Sequence, residues 1–282
     1  MEIKSLEKTE YETIFRAFSQ AFADYEVQWN KAQLKTMLKR RGFVPELSFA
    51  AFDDNDEIVA FTFNGIGHVN GIQTAYDTGT GTLKDYRGRG LASGIFLTSL
   101  PHLKKNKIEQ YLLEVMQHNP KAISVYKKLG FETTREFNYF MQKSENIDSR
   151  IKNSDYSVKQ METVNLDSIS DFWDFYPSWQ NNFEAINRAP EDFISLGVYT
   201  QKKLIGYSIF EPASGDITQI AVEKQNRRKG IATLLLNEVM KYNKADTVKF
   251  VNTAISCNSI TEFLKAKNIE LKGKQFEMIK KL

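Results

Sequence analysis

The sequence predicts an α/β protein made of two consecutive copies of one fold, each a mixed sheet covered by helices. Three observations carry this. First, YRGRGLASGIFLTSL at residues 86–100 returns as NRRKGIATLLLNEVM at 226–240, with Arg87, Gly90 and Ala92 matched by Arg227, Gly230 and Ala232. Repetition over so long a stretch marks a duplicated domain, not a solenoid unit. Second, strand-like and helix-like patterns follow the same order in both halves, with a hairpin meander in the middle of each. Third, the chain has 282 residues, which suits two domains of ordinary size.

The first half reads in order. Residues 2–6 suggest a short strand. Residues 9–23 carry Tyr11, Ile14, Phe15, Phe18 and Phe22 at helical spacing, with Thr9 as N-cap and Glu12 three residues on. A second helix over 30–41 stops at Gly42. LSFAAFD (47–53) and IVAFTFNGI (58–66) are strands around the polar turn DDNDE. Asn70-Gly71 is a hairpin signal, and a long strand follows over 72–83. A helix over 88–105 contains Pro101 and is expected to kink or end there. YLLEV (111–115) is a buried strand. Residues 120–130 form a helix with Pro120 in its first turn and Gly130 at its end, and a strand over 131–143 closes the half.

The second half repeats the order. It has a strand at 156–161, helices through 164–188, and strands at 194–200, 204–211 and 216–222. A helix at 228–242, a strand at 248–253, a helix at 259–267 and a strand at 269–281 complete it. The expected domains are 1–143 and 156–282, joined by a linker at 144–155. KSENIDSRIKNSD (143–155) is polar, with only Ile147 and Ile151 apolar. A surface loop inside one large domain is the alternative that the repeat argues against.

Composition narrows the function. The chain is 41% hydrophobic and 26% charged, which is ordinary for a globular protein and speaks against disorder. With 38 basic and 35 acidic residues the net charge is +3, too balanced for a nucleic-acid binder. A membrane role is not expected either, because no apolar run approaches the roughly 20 residues a spanning helix needs. The opening MEIKSLEKTEYETIF has no apolar core and does not read as a signal peptide. A single cysteine, Cys257, rules out an intramolecular disulfide and fits a reducing, cytoplasmic setting.

In KDYRGRGLASG (84–94) a strand ends, a glycine-rich loop follows and a helix begins. Glycines let a backbone approach a ligand closely. The first helical turn offers unpaired N–H groups and a partial positive charge, a natural seat for a diphosphate. Arg87 and Arg89 add charge beside Gly88, Gly90, Leu91 and Ala92. No P-loop pattern occurs, and GTGTLK fails the dinucleotide fingerprint because Lys84 stands where a glycine belongs. One such loop could be a solvated turn; two with matching Arg, Gly and Ala make that reading weaker.

The pattern [RQ]-x-x-G-x-[GA] between strand and helix resembles the acyl-CoA pyrophosphate loop of the GNAT acetyltransferase superfamily. LLEVMQHNPKAISVYKKLGF (112–131) is similar to that family's second signature, through Glu114, Asn119, Ala122, Tyr126, Gly130 and Phe131. The resemblance covers nearly the whole chain as two tandem GNAT acyl-CoA N-acyltransferase folds. It implies acetyl-CoA as donor and cofactor-like co-substrate, with direct transfer to the amine of a small-molecule or peptide acceptor. It also implies Tyr126 as the general acid and Glu114 as the base found in the ribosomal-protein branch.

Such chemistry needs the amine deprotonated, an oxyanion stabilised and a proton for the thiolate; a phenol and a carboxylate can serve. Tyr126 also fits a helix residue packing on the sheet, Glu114 fits a solvent-facing strand residue, and a water chain could replace Glu114. Backbone N–H groups near Thr82 and Leu83 are expected to meet the oxyanion. Asn119 is expected near the donor.

The second half departs from the pattern. Asn252 lies about where Glu114 would, Phe263 or Leu264 replaces Tyr126, and Asn268-Ile269 replaces Gly-Phe. It therefore keeps the phosphate loop without the proton donor. It binds CoA without turnover, uses other groups, or shapes the acceptor cleft. The remaining candidates are weak. His68, His102 and His118 lack metal-ligand spacing, so no metal is expected. Cys257 reads as a small buried hydrophobe. The aromatic run DFWDFYPSWQNNF (171–183) is core or an acceptor-pocket wall, and Asp24 and Glu26 in ADYEVQW could attract a cationic amine.

Overall fold

A computed structural model describes residues 1–24, 28–150, 156–161 and 169–282, which divide into two units. The first unit comprises Met1–Thr134, Phe183–Arg188 and Phe276–Leu282; the second comprises Arg135–Asn182 and Ala189–Gln275.

In the first unit, β1 (Glu2–Ser5), β2 (Phe49–Phe52), β3 (Ile58–Val69) and β4 (Ile72–Thr82) form an antiparallel meander. The β3–β4 turn is Asn70-Gly71, both with positive φ (52° and 78°), the backbone a two-residue hairpin requires. β5 (Gln110–Met116) joins β4 in parallel, after the crossover helix α3 (Leu91–Lys105). α1 (Tyr11–Ala21) and α2 (Lys31–Arg40) put Ile14, Ala17, Leu34 and Leu38 against Phe61 and Phe63. Ile95 of α3 packs with Phe49, Ala51 and Val59. α4 (Pro120–Lys128) ends at Gly130, φ +85°.

The second unit repeats the meander with β7 (Val158–Gln160), β8 (Ile194–Thr200), β9 (Lys203–Glu211) and β10 (Asp216–Val222). α6 (Ile231–Tyr242) leads to β11 (Thr247–Ala254), and α7 (Asn258–Ala266) follows. A short α5 (Phe183–Arg188) belongs to the first unit, where Arg188 donates to the carbonyls of Arg40 and Ile66 at 3.2 and 3.0 Å.

The units do not follow the boundary expected from the sequence. β6 (Glu132–Lys143) contributes Arg135–Lys143 to the second unit, pairing antiparallel with β11 from Lys143↔Thr247 to Phe137↔Ala254. Phe140 belongs to the apolar cluster of Phe250, Val248 and Leu264. The final strand β12 (Glu270–Lys281) supplies Phe276–Leu282 to the first unit, where Met278 is buried among Phe96, Leu103 and Tyr111. Side-chain burial, not chain order, decides membership.

Other differences are local. α1 starts at Tyr11 with Glu10, not Thr9, at its cap position and no side-chain cap bond there. α3 runs through Pro101 without ending. The aromatic run forms the short turns Ser170–Phe172 and Trp179–Asn181, not long helix, and residues 164–168 of the expected helical stretch lie outside the described residues. So do Glu26 and residues 151–155 of the expected linker.

Candidate active site

The register of β4 with β5 ends at Tyr76↔Leu112, and Asp77 is the next residue. Against β3, Asn64 pairs with Asp77 and Phe63 with Gly79, so Thr78 is an extra residue in β4. Such a bulge bends a strand and re-aims its side chains. Asp77 Oδ2 accepts from the Tyr126 hydroxyl at 3.1 Å and from Thr80 Oγ1 at 2.8 Å. With that proton on Asp77, Thr80 Oγ1 is left to accept from the Thr62 hydroxyl 3.1 Å away. Asp77 Oδ1 is buried and, among the described residues, meets no hydrogen-bond donor. Burial pushes the Asp77 carboxyl up, against the pull of Thr80, Tyr126 and Arg41, to about 6.

The expected site residues fall as follows. Tyr126 of α4 faces this point, and with Asp77, Thr80, Ala92, Phe96 and Tyr111 it lines a void of about 10 Å³, enough for about one water. Glu114 is half-buried in β5 and accepts from the Tyr76 hydroxyl at 3.1 Å. Burial, then the Glu114 carboxylate, hold the Tyr76 phenol well above its usual value. Asn119 caps α4 by accepting from the Ala122 amide at 3.1 Å. The Leu83 amide donates to the Val59 carbonyl at 2.9 Å, and Thr82 pairs with Ala60. Leu83 is therefore engaged in the sheet and cannot be the oxyanion donor expected of it.

The Arg87–Ala92 loop is open. Gly88 and Gly90 have φ of +78° and +76°, and a Cβ on either would meet nothing within 4 Å. The first amides of α3 have no intrahelical acceptor. Arg89 is exposed and donates to the Asp85 carbonyl at 2.8 Å. Arg87 is engaged with the protein: it donates to the Thr82 and Ala21 carbonyls at 3.1 and 3.0 Å and meets Asp24 at 3.4 Å.

In the second unit β10 and β11 pair at Asp216↔Lys249. The cavity here is about 650 Å³. It reaches Arg227, Gly230 and Ala232 of the second glycine-rich loop, with Phe172, Trp173 and Phe175 among its walls. Within the aromatic run Trp179 is fully buried, as a core residue would be, while Phe172, Trp173 and Phe175 line the cavity. The Tyr207 hydroxyl donates to Gln219 at 2.8 Å and accepts from Trp173 Nε1 at 2.6 Å. Asn252 donates to Ser178 and accepts from Gln275, at 3.0 and 2.6 Å. Buried Cys257 has Ser259 Oγ 3.3 Å away.

Asp77, Thr80 and Asp174 escaped the sequence reading. A signal for Asp77 exists: aligning the halves on their loops puts Ile217 opposite it, a polar-for-apolar difference within one strand.

The description acetyltransferase (GNAT) family belongs to a family model that matches residues 11–131 and 158–259. N-alpha-acetyltransferase 30 of Schizosaccharomyces pombe is 31% identical over 98 residues, which span 34% of this chain and 65% of that protein. Mycothiol acetyltransferase of Saccharomonospora viridis is 47% identical over 49 residues, 17% of this chain and 16% of that one. The chain thus spans less than two thirds of these curated relatives. A tandem GNAT protein from the clavulanic acid biosynthesis pathway superposes with a TM-score of 0.75 at 12% identity, covering 99% of this chain and 98% of that one. A GCN5-related N-acetyltransferase from Sphaerobacter thermophilus gives 0.73 at 11% identity, covering 99% and 95%. At these identities the likeness is one of fold.

Proposed function

We propose that this chain, which belongs to the acetyltransferase (GNAT) family, moves the acetyl group of acetyl-CoA directly to a primary amine, with the chemistry in its first unit. The observation that carries this is the Tyr126 hydroxyl, held by Asp77 at 3.1 Å where β4 parts from β5. A phenol there can protonate a departing thiolate. The diphosphate of the donor would lie on the first amides of α3, beside Gly88 to Ala92 and near Arg89. Open space over Gly88 and Gly90 fits a diphosphate.

The acceptor is a small-molecule or peptide amine. The curated relatives' names, one an N-alpha-acetyltransferase and one a mycothiol acetyltransferase, keep both classes in scope. Among the described residues no helix is long and apolar enough to cross a membrane; a cytoplasmic enzyme acting without nucleic acid or membrane is the simplest setting. A second reading rests on the cavity of about 650 Å³ in the second unit: an acyl-CoA-binding protein without turnover.

The test is thiol release from acetyl-CoA by the full chain over alkylamines, an aminoglycoside, lysine and a peptide with a free N-terminus. Amine-dependent release supports the enzyme. Binding of acetyl-CoA with no release from any amine favours the second reading.

A further inference from the structure

We propose that Asp77 is a catalytic residue of the first unit and works as one proton relay with Tyr126. The inference rests on the acetyltransferase reading above. As the amine nitrogen bonds to the thioester carbon, it sheds a proton to Asp77. The C–S bond breaks, and the thiolate takes the Tyr126 hydroxyl proton. The Asp77 carboxyl then turns about Cβ–Cγ and hands its proton to the phenolate. Amine and thioester become amide and thiol, and both side chains return to their starting states.

Four observations support this. Asp77 is the first residue past the end of the β4–β5 register, where the strands open. Its Oδ2 holds Tyr126 and Thr80 while its buried Oδ1 meets no donor among the described residues. A buried carboxylate oxygen left without a donor costs free energy and calls for a reason. A proton arriving from substrate supplies one.

The third observation is internal to the chain. Both units carry the same bulge, at Thr78 and at Thr218, which fixes the alignment of β4 with β10. Ile217 then takes the place of Asp77. Gly130 and Asn268, each with positive φ after its helix, align α4 with α7 and put buried Leu264 in the place of Tyr126. The half that lacks the phenol also lacks the carboxylate, as expected if each is useless alone.

The fourth is electrostatic. Groups facing Asp77 are Arg41 after α2, Tyr76 in β4, Tyr111 in β5 and Tyr126 in α4. Burial outweighs the pull of Arg41 and the hydrogen bonds and leaves the carboxyl at about 6. That makes Asp77 a better base than an ordinary aspartate while it stays mostly ionised at neutral pH.

The experiment uses full-length protein and the fastest acceptor of the amine panel. Asp77→Asn should lower kcat by about 10²–10⁴-fold, with a smaller change in KM for acetyl-CoA. Wild-type kcat should fall on the acid side of about 6, and Asp77→Asn should lose that limb. Asp77→Asn/Tyr126→Phe should be about as slow as the slower single variant, because the two act as a unit. An unchanged acid limb in Asp77→Asn, or losses that multiply in the double variant, overturns the relay while leaving Tyr126 as acid. Full activity in Tyr126→Phe overturns the first-unit reading itself. A carbon-13 titration of labelled aspartate, with no acceptor present, gives an independent readout. The Asp77 carboxyl should titrate near 6 and rise in Tyr126→Phe; an ordinary aspartate value overturns the relay even if Asp77→Asn does not fold.

Discussion

Arg227 grips Asp174 with one guanidinium nitrogen 2.8 and 3.0 Å from the two carboxylate oxygens. The same guanidinium donates to the Val222 and Phe172 carbonyls at 3.1 and 2.8 Å. Arg87 makes the equivalent set in its own unit, to Thr82, Ala21 and Asp24. The arginine of each loop therefore ties the loop to the segment between the first two strands of its meander, and in the proposed donor site the diphosphate is left to backbone amides.

Arg227→Ala should therefore destabilise the second unit by about 1–3 kcal/mol, since it removes the charge partner of a partly buried carboxylate and leaves it with Ser259. Arg87→Ala should cost less, because the Arg87 and Asp24 side chains are 44% and 56% exposed, against 29% each for Arg227 and Asp174. Burial raises Asp174, but bonds from Ser259 and Arg227 outweigh it and hold the carboxyl below its usual value. A lowered acid stabilises above its unfolded value and loses that contribution as pH falls through its folded one. Thermal melts of Arg227→Ala against wild type should differ at pH 7 and converge in acid.

Asp77 carries the opposite sign. Its carboxyl is raised from 3.8 to about 6, so the folded protein binds a proton that the unfolded chain has lost between those values. Stability from this group is full below pH 3.8 and falls as pH rises through about 6. Asp77→Asn should melt above wild type at pH 8, with the gap closing toward pH 4. Melting curves of the two proteins across that range check it. Equal melting at pH 8 would mean the charge is not held against its preference.

Tyr126→Phe should lower kcat by about 10²–10⁴-fold and change KM for acetyl-CoA much less, because the phenol acts in the transition state. Gly230→Val disturbs the other loop, where φ is +85° and a Cβ meets open space. It should remove acetyl-CoA binding by the second unit and leave most turnover. Calorimetry with acetyl-CoA and steady-state rates on both variants decide. If Gly230→Val is inactive and Tyr126→Phe is not, chemistry belongs to the second unit.

Met278→Ala should destabilise the first unit by about 2–5 kcal/mol, the usual cost of emptying a buried methionine site. Met278 is 0% exposed and packs with Phe96, Leu103 and Tyr111, far from it in sequence. Hydrogen exchange should show the loss in α3 and β5 before the second unit. A chain ending at residue 143 lacks this strand and should fail to fold as a stable unit.

The sequence alone determined the duplication, the strand and helix order and both glycine-rich turns ahead of α3 and α6. It could, because these rest on local patterns: alternation, helical spacing, and glycines at positions that need positive φ. It placed the second-half strands 194–200 and 216–222 at the residues where β8 and β10 lie. Tyr126 was singled out through its motif, and its place on α4 was legible from the helix pattern. Only the tertiary structure decided the partner of Tyr126, since Asp77 lies 49 residues away on another strand, brought there by a bulge that leaves no mark in hydrophobic pattern. It likewise assigned the end of the last strand, from Phe276, to the first unit and gave the larger cavity to the second. Those outcomes depend on which apolar faces bury against each other and where paired strands part, and both are set by contacts between segments remote in the chain.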